Sequence, residues 1–160
     1  MGCSKLRLLR TLLPSSKITI VGALAQADST HARDVIITAL AQPSYQDAIE
    51  NAALRAIATT NDTSFIAAVD SMSATRRFPA FVLAALGARG NAHAMALLTS
   101  RLDDDRAAVR RWALQAFRFA MPRPVALPRL QGAVDNLTHA DAKQAVREAI
   151  QQMNAQRSGG

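Results

Sequence analysis

The stretch Val109-Arg110-Arg111-Trp112-Ala113-Leu114-Gln115-Ala116-Phe117 decides the fold. It ends in an alanine followed by a larger apolar residue, and two further apolar residues stand four and three positions before that larger one. This spacing places the apolar side chains on one face of a helix. The pair recurs at intervals of 33, 29, 31 and 33 residues, as Ala23-Leu24, Ala56-Ile57, Ala85-Leu86, Ala116-Phe117 and Ala149-Ile150. A period of this length is typical of stacked arrays in which no repeat buries its apolar face alone, so the sequence predicts an all-α helical-repeat protein.

The composition agrees with helices packed on helices. Hydrophobic residues make up 49% of the 160 residues and aromatic residues only 4%, so the core has to be built from Ala, Leu, Ile and Val. The single cysteine, Cys3, excludes a disulfide within the chain and a thiolate zinc cluster. No apolar run reaches the roughly 18 residues that span a bilayer, so we expect no membrane span. We also expect a cytoplasmic location. The net charge of +7 favours acidic partners.

The helical pattern divides into an A helix and a B helix in each repeat, in the antiparallel pairs of an α-solenoid. We expect about four full repeats and a partial N-terminal one, forming one domain over residues 17–154. Residues 1–16 are a poorly defined segment or partial helix, and residues 155–160 are a frayed tail. The predicted helices are Lys17–Gln26, Ala32–Ala41, Tyr45–Thr59, Ser64–Met72, Arg76–Leu86, Ala92–Leu102, Arg106–Ala120, Val125–Leu137 and Ala140–Met153.

Polar residues, glycines and prolines mark the helix ends. Pro79 is compatible with a helix only in its first turn, and Pro128 should kink or delay the helix that contains it. Glycines end the helix that precedes them in the expected place. The expected caps are Ser44 with Asp47, Ser73 or Thr75, Asn91, and Thr138 with Asp141, and the expected helix ends are Gly87 and Gly90.

Two resemblances follow from these residues. The phrase from Val109 to Phe117 has the V-R-x-x-A-x-x-A-apolar shape of HEAT-like repeats, and the acidic turn before it matches as well. The stretch Leu40-Ala41-Gln42-Pro43-Ser44-Tyr45-Gln46-Asp47-Ala48-Ile49, between Ala32-Arg33-Asp34-Val35 and Ala52-Ala53-Leu54-Arg55-Ala56, resembles the C-terminal HEAT-like domain of bacterial aminopeptidase-N-like zinc metallopeptidases, the gluzincins. The resemblance covers residues 17–153 and implies a non-catalytic accessory domain, detached or encoded as a fragment.

The catalytic motifs of that family are absent from this chain. Its zinc site is H-E-x-x-H on a helix, and a G-x-M-E-N strand reads the substrate amine. Here each histidine is followed by alanine, as His31-Ala32, His93-Ala94 and His139-Ala140, and no two histidines stand at i and i+4. We therefore expect no zinc site, no cofactor and no enzymatic activity of the chain on its own. The histidines are read as solvated or capping residues, with isolated metal ligands as the alternative.

Two charged clusters remain as candidate sites. Asp103-Asp104-Asp105 is read as negative charge at a helix start, with cation binding or acid–base chemistry as the alternative. The candidate binding surface is a strip of arginines on neighbouring B helices: Arg76, Arg77, Arg110, Arg111 and Arg118. Arg106, Arg123 and Arg129 extend the same basic set.

Three functions follow from these observations. The leading one is protein or peptide binding, with a metallopeptidase catalytic domain as the candidate partner. The alternatives are a free-standing HEAT-like adaptor and a basic nucleic-acid-binding module. The nucleic-acid alternative lacks exposed aromatics between the arginines, because Trp112 shares the buried stripe of Val109, Ala113 and Ala116, and Phe78, Phe81, Phe117 and Phe119 are read as core.

Overall fold

The described part of the computed structural model is helical throughout. It comprises residues 30–41, 48–60 and 62–155 and contains no strand, so the all-α prediction is confirmed. The predicted helix Lys17–Gln26, the pair Ala23-Leu24, the Ser44–Asp47 cap and the tail from residue 156 lie outside these residues. The helices are α1 (Thr30–Leu40), α2 (Ala48–Thr59), α3 (Ile66–Ser73), α4 (Arg77–Ala88), α5 (Ala92–Ser100), α6 (Ala107–Phe119), α7 (Arg123–Val134) and α8 (Ala140–Ala155), with short 3-10 helices at Thr63–Phe65 and Arg101–Asp103.

The chain divides into two compact units, Met1–Phe65 and Ile66–Gly160. In the first unit α1 packs on α2. Both helices bury small and branched apolar side chains that are at most 6% exposed, namely Ala32, Val35, Ile36 and Ala39 of α1 and Ile49, Ala53, Leu54, Ala56 and Ile57 of α2. Asp62 accepts a 2.8 Å hydrogen bond from the backbone amide of Ser64, just before the 3-10 helix. The prediction of a single repeat domain over 17–154 stays a prediction.

In the second unit the helices predicted as B helices, α4, α6 and α8, contact one another in chain order. α4 contacts α6, and α6 contacts α8, while α3 contacts α4 and α5, and α7 contacts α8. The apolar residue four positions before each large repeat residue is buried in every described copy: Ala53, Val82, Ala113 and Val146 are at most 2% exposed. The repeat pattern therefore predicts the buried face of these helices correctly, although Ala85 and Ile150, which also belong to the pattern, are only half-buried.

Local signals account for several helix ends. The Asn91 side chain accepts a hydrogen bond from the Ala94 amide at 3.0 Å, as predicted for the start of α5. α4 ends in a Schellman motif, in which Gly90 has a φ of 93° and the amide of Asn91 donates to the Leu86 carbonyl. Gly87 instead lies within α4, one residue before its last. Pro79 occupies the first turn of α4, where its missing amide leaves no helical bond unmade.

Other predicted helix ends are wrong for identifiable reasons. Neither Ser73 nor Thr75 caps α4, because their hydroxyls donate back to the carbonyls of Asp70 and Met72 at the end of α3. Of the two effects predicted for Pro128, the delay is wrong, because α7 begins at Arg123 and contains Pro128, and the kink stays a prediction. The start is set upstream, where the Pro122 carbonyl accepts hydrogen bonds from the amides of Val125 and Ala126.

Candidate binding surface

The long-range polar contacts of the second unit join residues about one repeat apart. In each of these hydrogen bonds the two residues stand 31 to 36 positions apart along the chain. The partners are Asp70 with Arg101, Asp103 with Thr138 and His139, Arg110 with Asp141, and Arg118 with Gln152. Two of these contacts, Arg110 with Asp141 and Arg118 with Gln152, join α6 to α8, the helices that also carry the apolar stripe.

Asp103 anchors the start of α8 rather than that of α6. Its carboxylate accepts hydrogen bonds from the backbone amides of Thr138, at 2.8 and 2.9 Å, and of His139, at 3.0 Å. The Thr138 hydroxyl donates to it at 2.7 Å, and Nδ1 of His139 lies 3.0 Å away. These contacts lower the pKa of Asp103, with the His139 amide as the largest cause. The predicted cap of α8 by Thr138 and Asp141 is therefore wrong, because the Thr138 hydroxyl is directed to Asp103 and Asp141 is paired with Arg110.

Asp104 contacts Arg106, the residue that directly precedes α6. It accepts from the Arg106 amide at 3.0 Å and from the Arg106 guanidinium at 2.9 and 3.0 Å, and Arg101 donates to it at 3.1 Å. The Arg106 side chain is the main reason why the pKa of Asp104 is lowered. Both carboxylates are thus occupied by N–H donors. Within the described ranges, no group of three or more His, Cys, Asp or Glu side chains is placed to hold a metal ion.

The guanidinium group of Arg110 makes its hydrogen bonds within the chain. Its Nη1 donates to the carbonyls of Asp104 at 2.7 Å and Asp105 at 3.0 Å, and its Nη2 donates to the Asp141 carboxylate. Its side chain is only 11% exposed. Arg110 is one of the five arginines predicted to form the binding surface, but it joins the loop before α6 to α8. Its positive charge is largely balanced by these internal partners.

Arg111 and Arg118 present their guanidinium groups differently. Arg111 is exposed, and no carboxylate of the described chain lies within ion-pairing distance of it. Arg118 donates to the neutral Gln152 side chain at 2.7 Å and lies 5.2 Å from the centre of the Phe119 ring. Seven residues on a helix return to nearly the same face and advance about 10 Å along its axis. The two arginines therefore form a short row of uncompensated charge.

Arg76 and Arg77 lie at the start of α4, which contacts α6. Both are exposed, and the Arg77 guanidinium lies 5.3 Å from the centre of the Phe81 ring. These two residues are thus on a helix adjacent to that of Arg111 and Arg118. The prediction that all of them act as one strip stays a prediction.

A groove of about 310 Å³ opens between α6 and α8 beside Arg111. Its floor is apolar, because Leu102, Ala142 and Val146 are at most 5% exposed. The remaining lining residues are Ala107, Arg110, Arg111, Leu114, Asp141 and Ala145. The groove combines a small apolar floor with one free guanidinium at its edge, a feature that the sequence pattern alone did not reveal.

Phe119 is the residue whose environment was predicted wrongly. It is 68% exposed, whereas Phe117 is fully buried. Phe117 and Phe119 are two positions apart on a helix, which separates them by about 200° around its axis. The two rings therefore cannot share one buried face. Phe78, Phe81 and Trp112 are half-buried rather than enclosed. An exposed aromatic therefore does stand beside an arginine of the candidate surface.

No protein-family model matches this chain, and neither a curated protein nor a solved structure matches it. Among the described helices, none combines the length and the apolar character needed to traverse a bilayer.

Proposed function

We propose that this chain is a non-catalytic helical-repeat module that binds a protein or peptide partner. Its antiparallel A and B helices form HEAT-like pairs that stack as an α-solenoid. The observation that carries the proposal is the side-by-side packing of α4, α6 and α8, with the repeated apolar positions buried between them. The polar contacts at one-repeat separations support the same stacking. Stacked arrays of this kind present extended surfaces that suit binding.

The charges of the second unit favour binding over chemistry. The carboxylates of Asp103 and Asp104 accept several N–H donors each, which removes them as candidate bases. Among the residues that the structure describes, Arg111 and Arg118 have no carboxylate partner. A surface with uncompensated guanidinium groups is suited to acidic ligands, because arginine pairs with carboxylates through two parallel hydrogen bonds.

We further propose that the partner is the catalytic part of a gluzincin-type zinc aminopeptidase, in the cytoplasm. This step rests on the sequence resemblance around Ala32–Val35 and Ala52–Ala56. Of the residues that carry this resemblance, Ala32–Val35 lie in α1 and Ala52–Ala56 lie in α2. In that complex the module packs against the catalytic domain as a non-catalytic accessory domain.

The first experiment searches the neighbouring reading frames for H-E-x-x-H and mixes the encoded polypeptide with this chain. We expect the two to sediment as one complex, and we expect the complex but not this chain to hydrolyse a fluorogenic aminoacyl substrate. Two separate sedimentation boundaries would refute the accessory role. Chelator-sensitive turnover by this chain alone would refute the non-catalytic assignment.

Nucleic-acid binding is the second candidate, and the exposed Phe119 ring beside Arg118 is the observation that favours it. Single-stranded nucleic acids bind where bases stack on aromatic rings next to basic groups. A labelled single-stranded oligonucleotide, titrated at rising salt, tests this candidate. Steeply salt-dependent binding that is lost in Phe119→Ala would favour it over the peptide-binding module.

A further inference from the structure

The groove between α6 and α8 has the features of a site for one aliphatic side chain. Its volume of about 310 Å³ exceeds that of a single leucine or isoleucine side chain, and its floor is formed by Leu102, Ala142 and Val146. Leu114 and Ala145, which are half-buried, complete the apolar walls. Burying an aliphatic side chain there removes apolar surface of both partners from water, which is favourable.

The charge at the edge of this groove is not neutralised within the chain. Arg110 is held by Asp141 and by two backbone carbonyls, so its charge is largely compensated. Among the described residues Arg111 has no such partner, and the Arg118 guanidinium donates to the neutral Gln152 side chain and lies beside the Phe119 ring. Between Ile66 and Ala155 twelve Arg and Lys residues face seven Asp and Glu residues, so the surroundings add to the positive potential.

We propose that the groove binds an acidic peptide segment of a partner protein, whose aliphatic side chain enters the groove while its carboxylates pair with Arg111 and Arg118. This inference rests on the proposed function and specifies the chemistry of the partner. The spacing supports it, because the two arginines are about 10 Å apart along α6. An extended peptide of the polyproline II type brings residues i and i+3 to one side, about 9 Å apart.

The groove geometry favours a peptide over a nucleic acid. The groove is lined mostly by apolar residues and is large enough for an aliphatic side chain, and Phe119, the exposed ring on which a base could stack, does not line it. A phosphate backbone would use the arginines but leave the apolar floor open to water. Nucleic-acid binding is therefore an outcome of the test rather than part of the proposal.

The test uses a short fluorescein-labelled peptide with two glutamates three residues apart and one leucine between them. Binding of this peptide to the chain is measured by fluorescence anisotropy. Two control peptides replace the leucine with serine or both glutamates with glutamine. We expect the serine control to bind about tenfold more weakly, the loss typical of one well-formed contact, and the glutamine control, which removes two carboxylates, to bind more weakly still. Arg111→Gln should weaken binding by a similar factor, and Ala145→Trp, which fills the groove, should abolish it.

The matched control variant is Arg147→Gln. Arg147 is also an exposed arginine on a B helix and its loss changes the net charge equally, but it does not line the groove. We expect its affinity for the peptide to stay within about twofold of the original. Thermal melts of all variants show whether the fold is kept, and because Arg111 is exposed its variant should melt normally.

The outcomes separate this inference from the proposed function. Equal losses in Arg111→Gln and Arg147→Gln would overturn the groove site, because only net charge would then matter. If the catalytic polypeptide still associates with Arg111→Gln and Ala145→Trp at full affinity, the inference fails while the proposed module stands. Binding of a single-stranded oligonucleotide but of no peptide or catalytic polypeptide would overturn both.

Discussion

Two helical glycines provide a matched test of how closely α4 and α5 pack. Gly87 lies in α4 and Gly132 lies in α7. A Cβ added at Gly132 would have no atom within 4 Å, apart from its own helix backbone and chain neighbours. A Cβ added at Gly87 would lie 3.2 Å from Cε of Met95 and 3.3 Å from its Cα and Cβ. The same substitution to alanine therefore has two different consequences.

The magnitudes follow from these distances. Alanine is favoured over glycine in a helix interior by up to about 1 kcal/mol. At Gly132 nothing opposes this gain, so Gly132→Ala should raise the free energy of unfolding by about 0.5–1 kcal/mol. At Gly87 the gain is opposed by overpacking, which typically costs about 1–3 kcal/mol. Rotation of the Met95 side chain moves Cε but leaves Cα and Cβ in place, so part of the contact cannot be relieved locally.

Urea unfolding followed by far-ultraviolet circular dichroism measures both variants against the original chain. We expect the free energy of unfolding of Gly87→Ala to be lower than that of Gly132→Ala by at least about 1 kcal/mol. The slope of this free energy against urea concentration should be the same in both variants. If Gly87→Ala is stabilised as much as Gly132→Ala, α4 and α5 do not approach as closely as described, and the reasoning from the Met95 contacts is wrong.

Four further outcomes are expected. Phe117→Ala should lower the free energy of unfolding by about 3–5 kcal/mol, whereas Phe119→Ala should change it by less than about 0.5 kcal/mol; equal effects in urea titrations would contradict their assigned exposures. Ala113→Asp places an unpaired carboxylate in a position 1% exposed and should abolish the cooperative melt, while Ala107→Asp at the exposed start of α6 should preserve it. Stability should decline as the pH falls below about 4, because the folded-state pKa of Asp104 lies below its ordinary value of 3.8 and its contribution is complete only above that value; Asp104→Asn should flatten this acid limb in a series of melts. The dialysed chain should contain no stoichiometric zinc by elemental analysis and should not cleave aminoacyl substrates, since it offers one thiol and scattered imidazoles; bound zinc with turnover would contradict this.

The sequence predicted the elements that depend on one helix at a time. The buried stripe through Val82, Ala113 and Val146 follows from the helical period, because burial repeats wherever the same face meets a neighbour. The Asn91 cap and the Gly90 end are also local, since each involves residues within one turn. Such features need no knowledge of the other helices.

Features that depend on two repeats could not be predicted in the same way. Asp103 was assigned to the nearest helix start, but its carboxylate contacts the amides of Thr138 and His139, 35 and 36 residues away. No local signal distinguishes this choice from capping α6, because both helix starts offer unpaired amides. The groove and the exposure of Phe119 likewise depend on which sides of α6 are covered by neighbouring helices.

Arg110 and Arg111 show how the fold divides one sequence motif into two roles. The residues are chemically identical and adjacent, but successive positions on a helix are about 100° apart. Arg110 is thereby directed to Asp141 and the carbonyls before α6, while Arg111 faces solvent at the groove. Since the nearby acids are used for contacts within and between repeats, the positive charge that remains is concentrated on Arg111 and Arg118. The contacts among the helices of the second unit therefore leave the positive surface charge that we propose for recognition.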